Sequence, residues 1–391
     1  MRRTLILALG GLLAFLAAHL SHFGWRPSAL CDFGSRPLAE DPRYKTSASA
    51  SFRPGFVLMD GANADGYDGQ YYYFIACDPL ARRAQGGYAS AYYWQRILHP
   101  ALAWALAGGD PGRIPAAMAA VTLLAILLGA WALLRMQAHP GWVLAYAWGV
   151  GHLYGLQLSV GGPALSLSLS LLALLAWQEE RGGLAALLLA LSLLARESSV
   201  LVALPLCAFS FLKGRRRDAV LAALSVLPLL AWNLYLKERF GGWGLGTSGN
   251  HVTFPLAGIL ERARSLKGSG VDFASSGRGM ANNAVLLAFL AWGAWVAVDA
   301  AWSWIRGTRS LPALLYLANA GFFCCLTSKQ VVDLNGASRP FLTVLPFLVL
   351  CRSGSRAGKA LLAVGLLFSA AVFLKVALAH PEFHLYVMTN P

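Results

Sequence analysis

The chain has 391 residues, is 57% hydrophobic and only 13% charged, and has a mean hydropathy of +0.55. Soluble domains carry about 25% charged residues, so this composition excludes an ordinary soluble domain and makes the bilayer the solvent. The net charge of +14 does not mark a nucleic-acid binder, because the basic residues are spread over short connectors instead of being gathered on one soluble unit.

A backbone inside lipid must satisfy its own polar groups, which leaves helices or a closed barrel. The apolar runs are rich in Leu and Ala, roughly 15–20 residues long and not alternating, so they read as helices. The expected fold is all-α and polytopic, one integral domain of residues 1–391. It has about eleven transmembrane helices and two juxtamembrane helices in its first extracytoplasmic loop. In chain order the expected spans are Leu5–Leu20, Ile114–Leu134, Gly141–Leu158, Pro163–Trp177, Gly183–Ala195, Ser198–Leu212, Ala219–Leu236, Ala284–Ile305, Leu311–Leu326, Phe341–Leu350 and Ala360–Leu378. The first follows Met1-Arg2-Arg3 and reads as a retained span, not a cleaved signal peptide. His19, His22 and Trp25 crowd its end, and no small-x-small cleavage site follows. The fifth and tenth runs are too short to cross without tilt or local thinning.

Orientation follows from charge. Arg2-Arg3, Lys213 to Arg217, Arg306 with Arg309, and Arg352, Arg356 with Lys359 all fall in short connectors on one side of this assignment. The positive-inside rule places that side in the cytoplasm, as expected for a multi-pass protein of the cytoplasmic (inner) membrane with its N-terminus inside and its C-terminus outside. The outer face then receives loops 21–113, 237–283 and 327–340 and the tail. In the first loop, Gln70–Cys77 and Tyr92–Ala107 read as interfacial helices, with Tyr92, Tyr93 and Trp94 at headgroup level. Counting the second as a span would invert every later loop. Gly241 to Asn250 is a flexible loop; it lacks the spacing of a nucleotide-binding fingerprint.

Cys207, Cys324, Cys325 and Cys351 lie in or beside apolar runs and read as small core residues. Cys31 and Cys77 share the first loop, so a disulfide between them stays open. No His/Cys cluster argues for a metal, and no cofactor is expected, although two neighbouring acids are compatible with a divalent ion.

The residues suited to chemistry are polar groups in greasy surroundings. Asp65 and Asp68 sit three apart at the head of the first interfacial helix. Helical spacing puts them on one face, one acting as general base and the other holding the acceptor, or else capping the helix. Gln70 and Tyr72 follow on the same segment. Arg96 and His99, again three apart, suit a phosphate clamp or a headgroup anchor. Arg196-Glu197 breaks an apolar stretch, where charges either face a cavity or neutralise each other in a turn. Lys329 and Arg339 in a short outer loop suit an anionic lipid carrier or plain solvation. Asp299, inside the eighth span, receives no role.

The stretch Tyr67-Asp68-Gly69-Gln70-Tyr71-Tyr72-Tyr73-Phe74-Ile75-Ala76 resembles the pattern of the GT-C glycosyltransferase superfamily. It is nearest to the branch of the second mannosyltransferase of GPI assembly and its bacterial relatives. Gln95-Arg96-Ile97-Leu98-His99-Pro100 looks like the later part of the same loop. Ala195-Arg196-Glu197-Ser198-Ser199 and Trp232-Asn233-Leu234-Tyr235 are similar to mid-chain patterns. The resemblance implies a polyprenyl-phosphate sugar donor, a lipid or glycan acceptor, and inverting transfer without a nucleotide sugar. Asp68 would match the catalytic acid position. The chain departs from the pattern in having Tyr67 where the family often has Trp, and in lacking an Asp-x-Asp signature. Asp32, soon after the first span, is a rival for the base because some branches place it there. The expected function is therefore inverting glycosyl transfer at the outer face of the membrane. The alternatives are a transporter or flippase of a lipid-linked saccharide, and a surface-polysaccharide ligase or polymerase.

Overall fold

In the computed structural model the described residues are 1–40, 51–82, 91–244, 254–268, 277–307, 310–328, 334–352, 354–378 and 381–386. Helix dominates, at 75% of the structure. The helices are α1 Arg2–Ser21, α2 Ser35–Glu40, α3 Asp68–Cys77, α4 Ala91–Trp94, α5 Leu98–Leu106, α6 Ile114–Arg135, α7 Pro140–Ala147, α8 Val150–Gln157, α9 Gly162–Gln178 and α10 Gly182–Ala195. They continue with α11 Val200–Leu212, α12 Arg216–Leu224, α13 Leu227–Phe240, α14 Ala257–Gly268, α15 Gly277–Ile305, α16 Leu311–Cys324, α17 Leu334–Phe341, α18 Leu345–Arg352 and α19 Arg356–Ala377. The strands are β1 Phe33–Gly34, β2 Val57–Met59 and β3 Phe383–Leu385.

Among the described residues, five helical stretches are long and apolar enough to cross a membrane: Arg2–Ser21, Ile114–Arg135, Arg216–Phe240, Ala284–Ile305 and Arg356–Ala377. Shorter apolar helices, Gly162–Gln178, Gly182–Ala195, Glu197–Leu212 and Leu311–Cys324, pack among them. The chain therefore has the build of an all-α, multi-pass membrane protein. Local sequence sets the starts: α6, α7, α9, α13 and α16 each carry proline in the first turn, where its missing N–H costs nothing. Ser310 and Ser355 cap α16 and α19 through their hydroxyls.

Several runs expected to be continuous are broken. The run Gly141–Leu158 splits into α7 and α8 at Gly149, whose ψ of 141° leaves the helical region. Tyr92–Ala107 splits into α4 and α5, because the ring of Pro100 would strike the carbonyl of Arg96 in an unbroken helix. The same clash between Pro228 and the Leu224 carbonyl separates α12 from α13, which still run on as one 25-residue stretch. Pro346 and the Leu342 carbonyl likewise separate α17 from α18.

One face of the bundle gathers segments that are remote in sequence. β1 pairs parallel to β2, and β2 pairs antiparallel to β3, so the end of the chain returns to the first long loop. Arg339 of α17 reaches Asp68 of α3, and Tyr235 and Arg239 of α13 donate to the carbonyls of Leu80 and Ala81. The loop has a core of its own, in which Phe33, Phe52, Phe56, Tyr73 and Phe74 pack ring against ring. On the opposite face Arg352 makes a two-pronged ion pair with Asp299, and Tyr316 donates to the same carboxylate. All six cysteines are free thiols, so Cys31 and Cys77 are not bridged.

Candidate functional site

Asp68 opens α3, where the helix N-terminus favours a carboxylate. Its side chain does not cap the helix. Oδ2 accepts from Nη1 of Arg339 at 2.8 Å, across 271 positions of sequence. Nη2 of Arg339 donates to the Tyr67 hydroxyl at 2.8 Å, and the guanidinium lies over the Tyr67 ring. The Arg339 side chain is 16% exposed and that of Asp68 35%, so the pair sits at the rim of the buried region.

A second ion pair lies beside it. Arg96 holds Glu197 by two parallel bonds, Nη2 to Oε1 at 2.6 Å and Nε to Oε2 at 3.0 Å. This fork geometry is the strong form of an arginine–carboxylate contact. Arg96 also donates to the hydroxyl of buried Tyr72 at 3.3 Å and lies over the Tyr92 ring. Arg96 can turn this way because it falls in the break that Pro100 imposes between α4 and α5.

Arg196 joins the two pairs. Its Nη1 donates to the Arg339 carbonyl at 3.4 Å, while its Nε is buried without a partner. Burial, then the positive charge of Arg96, lowers its pKa to about 10, so it stays cationic at neutral pH. Arg196 forms no ion pair with Glu197, whose two carboxylate oxygens are bonded to Arg96. Three guanidinium groups thus meet two carboxylates, and one positive charge is left over.

Two backbone contacts set this geometry. A Cβ on Gly69 would lie 2.1 Å from the Leu158 carbonyl, and one on Gly151 would lie 2.8 Å from the Ser338 carbonyl. Glycine at both places lets α8 bear on α3 at one end and on α17 at the other. Behind Arg196, a buried serine network ties α9 to the turn between α10 and α11. The Ser192 hydroxyl lies 2.7 Å from the Ser166 carbonyl, to which it can donate, and 2.6 Å and 2.8 Å from the hydroxyls of Ser199 and Ser170. Sequence reasoning passed over this network; the signal was the serine repeated at every second position in Ser166, Ser168 and Ser170.

Other expected members lie elsewhere. Asp65 precedes α3 and does not share a helix face with Asp68; it is 69% exposed and paired with Arg36 at 2.8 Å. Gln70 is buried and serves the loop backbone, accepting from Gly34 N and donating to the Asp65 carbonyl. His99 turns into the bundle instead of joining Arg96. Its Nε2 lies 3.0 Å from the Thr122 hydroxyl, and burial pushes its pKa down to about 4, so a neutral ring faces no anion. Lys329 lies outside the described residues. Among the described residues no three His, Cys, Asp or Glu side chains converge as a metal site.

Asp32 is a second acid next to this site. It takes a left-handed conformation (φ 52°), and its carbonyl accepts from Tyr67 N at 3.0 Å, which sets its backbone against the head of α3. Burial raises its carboxyl from 3.8 to about 7.

No protein-family model matches the chain, and no curated protein matches it in sequence.

Proposed function

We propose that this protein is an inverting membrane glycosyltransferase of GT-C type that takes a sugar from a polyprenyl-phosphate donor. The observation that carries this reading is the uncompensated Arg196 charge, set between the Asp68–Arg339 and Arg96–Glu197 pairs. A surplus guanidinium beside a carboxylate suits a reaction that releases a phosphate and consumes a proton acceptor. The acceptor hydroxyl attacks the anomeric carbon, its proton passes to Asp68, and the bond from that carbon to the phosphate oxygen breaks. The electron pair leaves with the phosphate, whose added charge is met by Arg196 and its neighbours. The reading places this chemistry at the outer face of a cytoplasmic membrane, with a lipid or glycan as acceptor.

Asp32 is the second reading for the base, favoured by a carboxyl held at about 7, close to the pH at which a general base works best. The test is release of polyprenyl phosphate from a labelled donor by purified protein. Asp68→Asn is expected to lower release by about 100-fold or more while the fold persists, the scale of one acid–base group. Full activity in that variant, with loss in Asp32→Asn, transfers the role to Asp32.

A flippase for the same donor is favoured by one observation. The broken pairs α7/α8 and α17/α18 pack on one another, and interrupted helices line many transport sites. Movement of intact donor across liposomes without phosphate release would decide for the flippase.

A further inference from the structure

We propose that a groove between α11 and α12 binds one anionic phospholipid from the leaflet at the face of the basic connectors. The groove holds about 640 Å³ and is lined by Leu204, Ala208, Phe211, Val220 and Ala223, with Arg216 at its mouth. Its walls are apolar and partly exposed: Leu204 is 60%, Phe211 63% and Val220 58% exposed. In a helix that crosses a bilayer, such a surface meets acyl chains, and a trough between two helices holds one chain in a fixed place.

The charge at the mouth selects the headgroup. Arg216 lines the groove, and Arg216 and Arg217 are both exposed in the first turn of α12. Asp218, in the first turn of α12, is already taken by Arg215 at 2.6 Å, and Arg215 also donates to the Trp177 carbonyl. Two arginines thus stand at the start of α12, where the helix dipole already favours an anion and disfavours cations. A phosphate diester placed there relieves both. A zwitterionic headgroup brings a compensating positive charge and gains less. This site is separate from the Asp68 cluster, on the other face of the bundle, and stands whether or not that cluster transfers sugar.

The experiment compares retention of phosphatidylglycerol and phosphatidylcholine by purified protein, read by native mass spectrometry. Wild type is expected to prefer phosphatidylglycerol. Arg216→Gln is expected to cut that preference by about fivefold, the factor of one basic side chain at an acidic surface. Filling the trough from its exposed side with Ala208→Phe and Ala223→Phe is expected to remove the retained lipid of either type without loss of folded protein. Unchanged preference in Arg216→Gln, or unchanged retention in the filled variant, overturns the proposal. So does a wild-type dimer that the filled variant converts to monomer with no change in lipid, because the groove would then be an interface between two copies.

Discussion

The chemistry of the candidate site rests on how individual charges are partnered. Glu197 and Arg96 are 25% and 15% exposed and form two bonds, so removing either partner leaves a poorly hydrated charge. Asp68 is more open, and its partner Arg339 is shared with Tyr67. Asp32 differs from both in having burial without a compensating cation as the cause of its shift. Its folded-state pKa lies above the ordinary 3.8, so ionising it works against the fold. The stability present at about pH 4 is lost as pH rises toward about 7. Asp32→Asn is therefore expected to leave the melting temperature near wild type at pH 4 and to raise it at pH 8, measured in detergent at both values. Equal effects at the two pH values would show that the carboxyl is not held up by burial. That Asp32 and Asp68 are acids set beside apolar spans was legible in the sequence. Which acid finds a cation was not, because Arg339 lies 271 positions away from Asp68.

At the scale of elements, α8 is the spacer on which the site is built. Its C-terminal end touches Gly69 through the Leu158 carbonyl, and its first turn touches α17 through Gly151. A methyl group at position 151 must push the Ser338 carbonyl away, and Arg339 is the next residue. If the cluster carries the proposed transfer, Gly151→Ala is expected to lower turnover by about tenfold or more, because shifts of this size misplace reacting groups. Stability should fall less, and activity measured against melting temperature separates the two. Helix positions were legible because hydrophobic run length reports them directly. Three of the four breaks were written in Pro100, Pro228 and Pro346, each of which forbids the carbonyl four residues earlier from its helical place. Reading run length alone concealed them, and with them the gap that frees Arg96.

At the scale of the whole molecule, the small sheet closes the fold. β3 near the end of the chain pairs with β2, and Nδ1 of His384 lies 2.5 Å from Oδ2 of Asp60. The backbone bonds matter most here, because this ion pair is exposed on both sides and such pairs contribute about 1 kcal/mol or less. Truncation after Leu378 is expected to open the first loop to protease while the membrane helices stay protected. Unchanged cleavage would show that the loop's aromatic core holds it alone. The sequence by itself determined that this is a helical membrane chain with a polar, aromatic first loop, because composition and run length are local properties that lipid enforces. Only the tertiary structure decided that Asp68, Arg339, Arg96, Glu197 and Arg196 share one place. Ion pairs between distant segments form only after packing has brought those segments together, and no local pattern in the chain records that distance.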